Sequence, residues 1–209
     1  MISFGIGQPD FPTPEHVVEA AIKAMKEGFT KYVPPPGIPE LREAIAEFVS
    51  DFTGAGDVKP DEVIVVPGAK AGLFFAIAAY VGPGDEVIVP DPGFPTYESV
   101  VRYAGGKPVF CELKAEEDFR IKPERVQELV TDRTKMIILN SPHNPTGGMC
   151  TPSDIRGLLE LAKDEGIILL SDEVYDHYVY GEVPFLSVLS DPDWRDFVIY
   201  VKASARRGP

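Results

Sequence analysis

The chain has 209 residues, 44% of them apolar, with 33 acidic against 20 basic side chains and a net charge of −13. That length supplies one sizeable domain with a real core, or one with a small second. The acidic balance argues against nucleic acid or an anionic membrane as partner, and any anionic ligand must be captured by local groups. No apolar stretch approaches the roughly 20 residues of a membrane span. The N-terminus shows no basic segment followed by an apolar one. Cys111 and Cys150 stand far apart in no metal spacing, as reduced structural thiols of a cytosolic protein do.

Residues 1–12 carry no periodicity. Thr13-Pro14-Glu15 reads as a helix start, with Thr13 as N-cap and Pro14 at the first helical position; the helix runs to Lys26 or Glu27 and stops at Gly28. Prolines 34–36 and Gly37 make a rigid turn, and Pro39 opens a second helix with an apolar face of Leu41, Ala44, Ile45, Phe48 and Val49. From about Asp61 the chain alternates. "EVIVV" reads as a strand, "AKAGLFFAIAAY" as a helix, "DEVIV" as a strand, and the loop after it leads into a short helix. "KPVFCEL" is a strand, "KPERVQELV" a helix, "KMIIL" a strand, "TPSDIRGLLELAKDEG" a helix, and "IILLS" and "FVIYV" strands. Strands apolar on both faces that alternate with helices predict an α/β fold: a mostly parallel sheet covered by helices on both faces.

In such sheets ligands sit beyond the carboxyl ends of the strands, so the residues that follow each strand carry the functional signal. After "VIVV" come Pro67-Gly68-Ala69-Lys70 and a helix, which offers backbone N–H groups and a positive helix end to a phosphate. After "DEVIVP" comes Phe94 between two prolines, able to stack on a flat ring. After "MIILN" comes "SPHNPTGG", in which Asn144-Pro145 is a candidate cis peptide that turns the Asn144 amide into a site. After "IILLS" comes Asp172, with Tyr175 three residues on; a carboxylate at the end of a buried strand is costly unless it meets a positive partner. Each feature alone has a plainer reading: a tight turn, a core phenylalanine, a loop of turn formers, a helix-capping aspartate. Their common position at the ends of successive strands describes a site for a flat, phosphorylated, cationic aromatic ring, and pyridoxal 5'-phosphate fits that description. The chain has neither GxGxxG nor GK[ST], so dinucleotide and P-loop sites are not supported.

The motifs "GQPDFPTPEHV", "YVPPPGIPELREAI", "VPGAKAGLF", "PDPGFPTY", "NSPHNPTGG" and "LLSDEVY" resemble those of the class I/II aminotransferases, the fold-type I pyridoxal-phosphate enzymes, in particular the aspartate aminotransferases. The resemblance runs from Phe4 to about Val201. It implies that Asp172 pairs with the pyridine nitrogen and that Tyr175 and Asn144 bond the ring's phenolic oxygen. Phe94 would stack on the ring, and Gly68, Ala69 and Lys70 would form the phosphate turn. Gly7 would lie beside the substrate carboxylate, and Tyr32 would reach the cofactor phosphate of a partner subunit, which implies a homodimer. His143 and His177 receive no catalytic role. By the same resemblance, residues 1–30 belong to a small domain, residues 31–201 to a large cofactor-binding domain, and residues 202–209 to a tail unlike the family. The implied reaction moves an amino group between an amino acid and a 2-oxo acid in the cytoplasm. A carbon–sulfur lyase of the same fold is the alternative.

The family's Schiff-base lysine should follow "VIYV" almost at once, where this chain reads "VKASARRGP". Arg206 falls at the lysine position, and a guanidinium stays protonated and forms no imine. Lys202 stands about four residues early, a poor fit to the placement a reacting group needs. The expectation is an internal piece of an aminotransferase that is itself inactive, with a reading-frame change after Val201 as one origin of the tail. The same expectation includes exposed apolar surface and a tendency to associate.

Overall fold

The structure of the chain is a computed structural model that describes residue 7 and residues 11–203. Arg206 and most of the basic tail lie outside the described residues. Helix α1 (Glu15–Lys26) has Pro14 as its N-cap rather than Thr13: the Pro14 carbonyl accepts from the N–H groups of Val17 and Val18 at 3.0 and 3.2 Å. The fixed φ of proline suits the cap as readily as the first helical position, so the sequence did not separate the two. The helix ends where expected, with Gly28 at φ 88°. None of its residues is buried, and Val17, Val18, Ile22 and Met25 stay exposed.

Helix α2 (Pro39–Thr53) opens on Pro39 and stops at Gly54 in the left-handed region. Its buried residues are Ala46, Val49 and Thr53, whereas Leu41 is exposed. Ile45 and Phe48 of the expected face are partly buried against the same core as Val49, so the face holds in its second half and fails at Leu41 and Ala44, which are exposed. The expected strand at residues 62–66 is absent: residues Pro60–Glu62 form a 3-10 turn, and the Val65 N–H donates to the Pro36 carbonyl at 2.9 Å instead of joining a ladder. A β-branched run supplies propensity, but a strand needs a neighbour to pair with, and none of the described strands takes that place.

The remaining elements follow the alternation: α3 (Ala69–Tyr80), β1 (Glu86–Asp91), α4 (Thr96–Tyr103), β2 (Lys107–Glu112), α5 (Pro123–Leu129), β3 (Thr134–Asn140), α6 (Pro152–Asp164), β4 (Ile168–Asp172) and β5 (Val198–Val201). The five strands form one wholly parallel sheet in the order β2-β1-β3-β4-β5. Because side chains alternate along a strand, the sheet feeds two cores. Val87, Val89, Met136, Ile138, Leu170 and Val201 pack with Leu73 and Ile77 of α3 and with Tyr97, Val100 and Val101 of α4. Ile88, Ile137, Leu139 and Leu169 pack with Ala46 and Val49 of α2, Val126 of α5, and Ile155 and Leu158 of α6. Fully burying one such Leu or Ile contributes about 1.5–3 kcal/mol, and the middle strands do so on both faces. This is the expected α/β architecture with helices on each side.

The chain runs outward from β1 to β2 and then returns to the other side of β1 to form β3. The loops after β1 and β3 therefore diverge and open a crevice at the carboxyl edge, the place where ligands bind in such sheets. The amino edge carries a buried acid of its own. Glu86, first in β1 and 3% exposed, accepts from Thr131 (2.8 Å), Lys107 (3.0 Å) and Arg133 (2.9 Å), which hold its carboxyl down to about 2.

Candidate functional site

Asp172 ends β4, and alternation turns its side chain toward α3 and α4 while Ser171 and Glu173 face the other way. The carboxylate is 5% exposed. Its Oδ2 accepts from the Tyr97 hydroxyl at 2.8 Å and its Oδ1 from the Val174 N–H at 3.3 Å. Burial pushes its pKa above the ordinary aspartate value, and these two donors offset part of that rise. No lysine, arginine or histidine among the described residues forms an ion pair with it. Tyr97 is itself held strongly in the neutral form, by burial and then by the adjacent charge of Asp172.

The loop after β1 brings Phe94 to the same place. The Phe94 and Tyr97 rings meet edge to face, 5.7 Å between centroids and 79° between planes. The Lys70 ammonium lies 5.4 Å from the centre of the Phe94 ring, which ties the turn before α3 to this wall. Gly68 caps α3 at φ 90°, a conformation that favours glycine, and an added Cβ would meet nothing there. The first N–H groups of a helix have no intrahelical acceptor, so Ala69 and Lys70 present theirs at the open end of α3. The loop after β3 is joined to β4 through Asn140: its Nδ2 donates to the Asp172 carbonyl and its Oδ1 accepts from the Asn144 N–H, both at 2.8 Å. Asn144-Pro145 is cis as expected, and so are Asp91-Pro92 and Ser141-Pro142. Tyr175 is partly buried and makes an edge contact with Tyr178 at 6.1 Å.

The structure thus gathers Gly68, Ala69, Lys70, Phe94, Asn144, Asp172 and Tyr175 at one edge of the sheet. The two remaining expected residues are exposed, Tyr32 having been expected to serve a partner subunit rather than this crevice. Tyr32 is fully exposed at 107%. Gly7 is exposed, and its neighbours on both sides lie outside the described residues. Sequence reasoning missed Tyr97 and Asn140, although both stand inside quoted motifs. The signal for Tyr97 was its place one helical turn after Phe94, and for Asn140 its register opposite Asp172.

Lys202 does not enter the crevice. Its ammonium pairs with Asp176 and lies 4.5 Å from the ring centre of Phe52 and 5.6 Å from that of Phe48, on the α2 side of the sheet. His177 stacks on Phe52 at 4.9 Å and bonds Asp176 at 2.7 Å. His143 bonds Thr146 at 2.8 Å, and burial pushes its pKa down to about 4. Glu173 is buried on the α2 side, accepts from Ser171 and Val188 at 3.0 Å each, and is pushed up to about 7 by burial.

A family model for aminotransferase class I and II matches residues 1–203. The chain belongs to the class I and II aminotransferases. It is 47% identical over 208 residues to an aspartate aminotransferase of Sulfolobus acidocaldarius, covering 99% of this chain and 52% of that protein. It is also 47% identical over 180 residues to an aspartate/prephenate aminotransferase of Thermus thermophilus, covering 86% of this chain and 46% of the relative. Among solved structures it resembles an aspartate aminotransferase from Thermus thermophilus with maleate (TM-score 0.91, 44% identity, 95% of this chain and 51% of the other). An aromatic aminotransferase from Pyrococcus horikoshii is similar at TM-score 0.92 and 38% identity, over 96% of this chain and 54% of that one. The chain spans about half the length of these class I and II aminotransferases.

Proposed function

We propose that this chain carries the pyridoxal-phosphate platform of an aminotransferase that moves an amino group between an amino acid, aspartate in the first instance, and a 2-oxo acid. The observation that carries the reading is Asp172: a carboxylate 5% exposed at the tip of β4, bonded to Tyr97 and Val174 and in no ion pair with a described residue. A buried anion of this kind calls for a cation, and a protonated pyridine nitrogen is one. The residues around it fit the rest of the cofactor: Phe94 for the ring face, the open α3 terminus with Gly68, Ala69 and Lys70 for the phosphate, and Asn144 with Tyr175 for the phenolic oxygen. When bound, the cofactor supplies an electron sink for the substrate's α-carbon. Asp172 holds the proton at the ring nitrogen that makes the sink effective, and Phe94 excludes water from one ring face.

Aspartate is favoured because relatives at 47% identity are named aspartate aminotransferases and one similar structure carries maleate, a four-carbon dicarboxylate. The same proposal gives Gly7 to the substrate carboxylate and Tyr32 to the cofactor phosphate of a partner copy in a homodimer. It also assigns residues 1–30 to a small domain, residues 31–201 to the large one, and the protein to the cytoplasm. The test is equilibrium dialysis of the chain against pyridoxal 5'-phosphate. One saturable site is expected, and it should be lost on changing Asp172 to Ala. Binding that never saturates, or that survives this change undiminished, would refute the reading.

A further inference from the structure

Tyr97 touches both walls of the crevice. Its hydroxyl donates to Asp172 Oδ2 at 2.8 Å across 75 residues of sequence, and its ring meets Phe94 edge to face at 5.7 Å. At 1% exposure it is among the most completely buried large side chains of the molecule. Its place in the first turns of α4 (Thr96–Tyr103) lets it link the loop after β1 to the tip of β4. We propose that Tyr97 is a positioning residue: its hydroxyl keeps Asp172 ionised and aimed into the crevice, and its ring fixes the plane of Phe94 above it. The proposal rests on the cofactor reading above for its ligand, but the bond itself is present without one.

The chemistry follows from what surrounds the acid. From α4 Asp172 meets the Tyr97 phenol, and from its own following turn the Val174 N–H. From β3 comes Asn140, which is neutral and bonds the Asp172 carbonyl; from β5 comes the apolar Val201. The nearest cation of α3 at this wall is Lys70, over Phe94. A phenol that donates to a carboxylate stabilises the charged form, against the desolvation that favours the neutral one. Without the phenol, the acid takes up a proton at higher pH and loses its attraction for a protonated ring nitrogen.

The test compares the chain with its Tyr97→Phe variant, which keeps the ring and removes the donor. Pyridoxal 5'-phosphate affinity is measured by equilibrium dialysis between about pH 4 and 8. Titration of the free ligand is common to both proteins and cancels. The acid limb of Tyr97→Phe is expected to begin about one pH unit higher, the size set by one lost hydrogen bond to a carboxylate. A 3-fluorotyrosine at position 97, nearly isosteric and a stronger donor, should move the limb the other way. A loss of affinity equal at every pH, or no movement of the limb in either protein, would overturn the proposal. Carbon-13 NMR titration of Asp172 without ligand separates the two readings. An upward shift there in Tyr97→Phe supports the role of Tyr97 even if the chain binds no cofactor. An unmoved Asp172 refutes that role even if the chain binds well.

Discussion

Two buried acids stand at opposite edges of the same sheet. Glu86 opens β1, and Thr131, Lys107 and Arg133 surround its carboxylate, so its charge is answered within the chain. Asp172 closes β4 and meets a phenol and one N–H group but no cation among the described residues. The pKa shifts run in opposite directions for this reason: Glu86 is held down to about 2 by its partners, and Asp172 is raised by burial. One acid is held by ion pairs within the fold, whereas the other is the group we propose to meet the cation of a cofactor. Chain direction explains the asymmetry. In an open parallel sheet the diverging loops at the carboxyl ends leave a crevice at the switch point, and Asp172 stands at that end while Glu86 stands at the other.

The strongest way to break this contrast is to remove the two charges in turn. Asp172→Asn is expected to weaken pyridoxal 5'-phosphate binding about a thousandfold, the scale for truncating one partner of a buried charge pair. Glu86→Gln should leave that affinity unchanged and lower the melting temperature. Equilibrium dialysis and thermal melts on both variants decide the matter, and equal behaviour of the two would erase the distinction.

Lys202 sharpens the comparison from the other face of the sheet. Its side chain is 12% exposed and its partner Asp176 lies buried beneath it. Lys202→Ala should cost about 3 kcal/mol of stability, because a buried carboxylate loses its main cation. Cofactor affinity should not change. Denaturant unfolding alongside dialysis reads both quantities, and loss of affinity at unchanged stability would place Lys202 in the site after all.

Glu173, next to Asp172 but on the α2 side, gives a pH signature. Its folded pKa of about 7 lies above its ordinary value of 4.5, so the folded state holds the proton more tightly. Stability from this group is fully present below about pH 4.5 and is lost as pH rises toward 7. Glu173→Gln should therefore flatten the fall over that window and gain about 2 kcal/mol at pH 8, as measured by urea midpoints at several pH values. The smallest effect is expected at Phe94. Phe94→Leu keeps an apolar wall but loses ring stacking, and cofactor affinity should fall about fivefold with no change in its pH dependence.

Much of the site was legible because it is local. Phe94 and Asn144 follow, and Asp172 ends, strands whose apolar runs are visible in the sequence, and parallel topology sends those strand ends to one edge; Gly68 follows an apolar run that forms no strand. Tyr97 and Asn140 were not legible because their roles depend on partners 75 and 32 residues away. The expected strand at residues 62–66 failed for a related reason: its β-branched residues have the propensity, and pairing is decided by a neighbour.

What the amino-acid order alone determined is the alternation of apolar runs and helices, hence a parallel sheet with two covered faces, and the residue types that stand at its tips. Only the tertiary structure decided which acid is answered and which is left waiting, that Lys202 faces away from Asp172, and that Tyr97 spans the crevice. Periodicity follows from local geometry and is written residue by residue. Electrostatic partnership is a matter of distance in space, which folding alone sets.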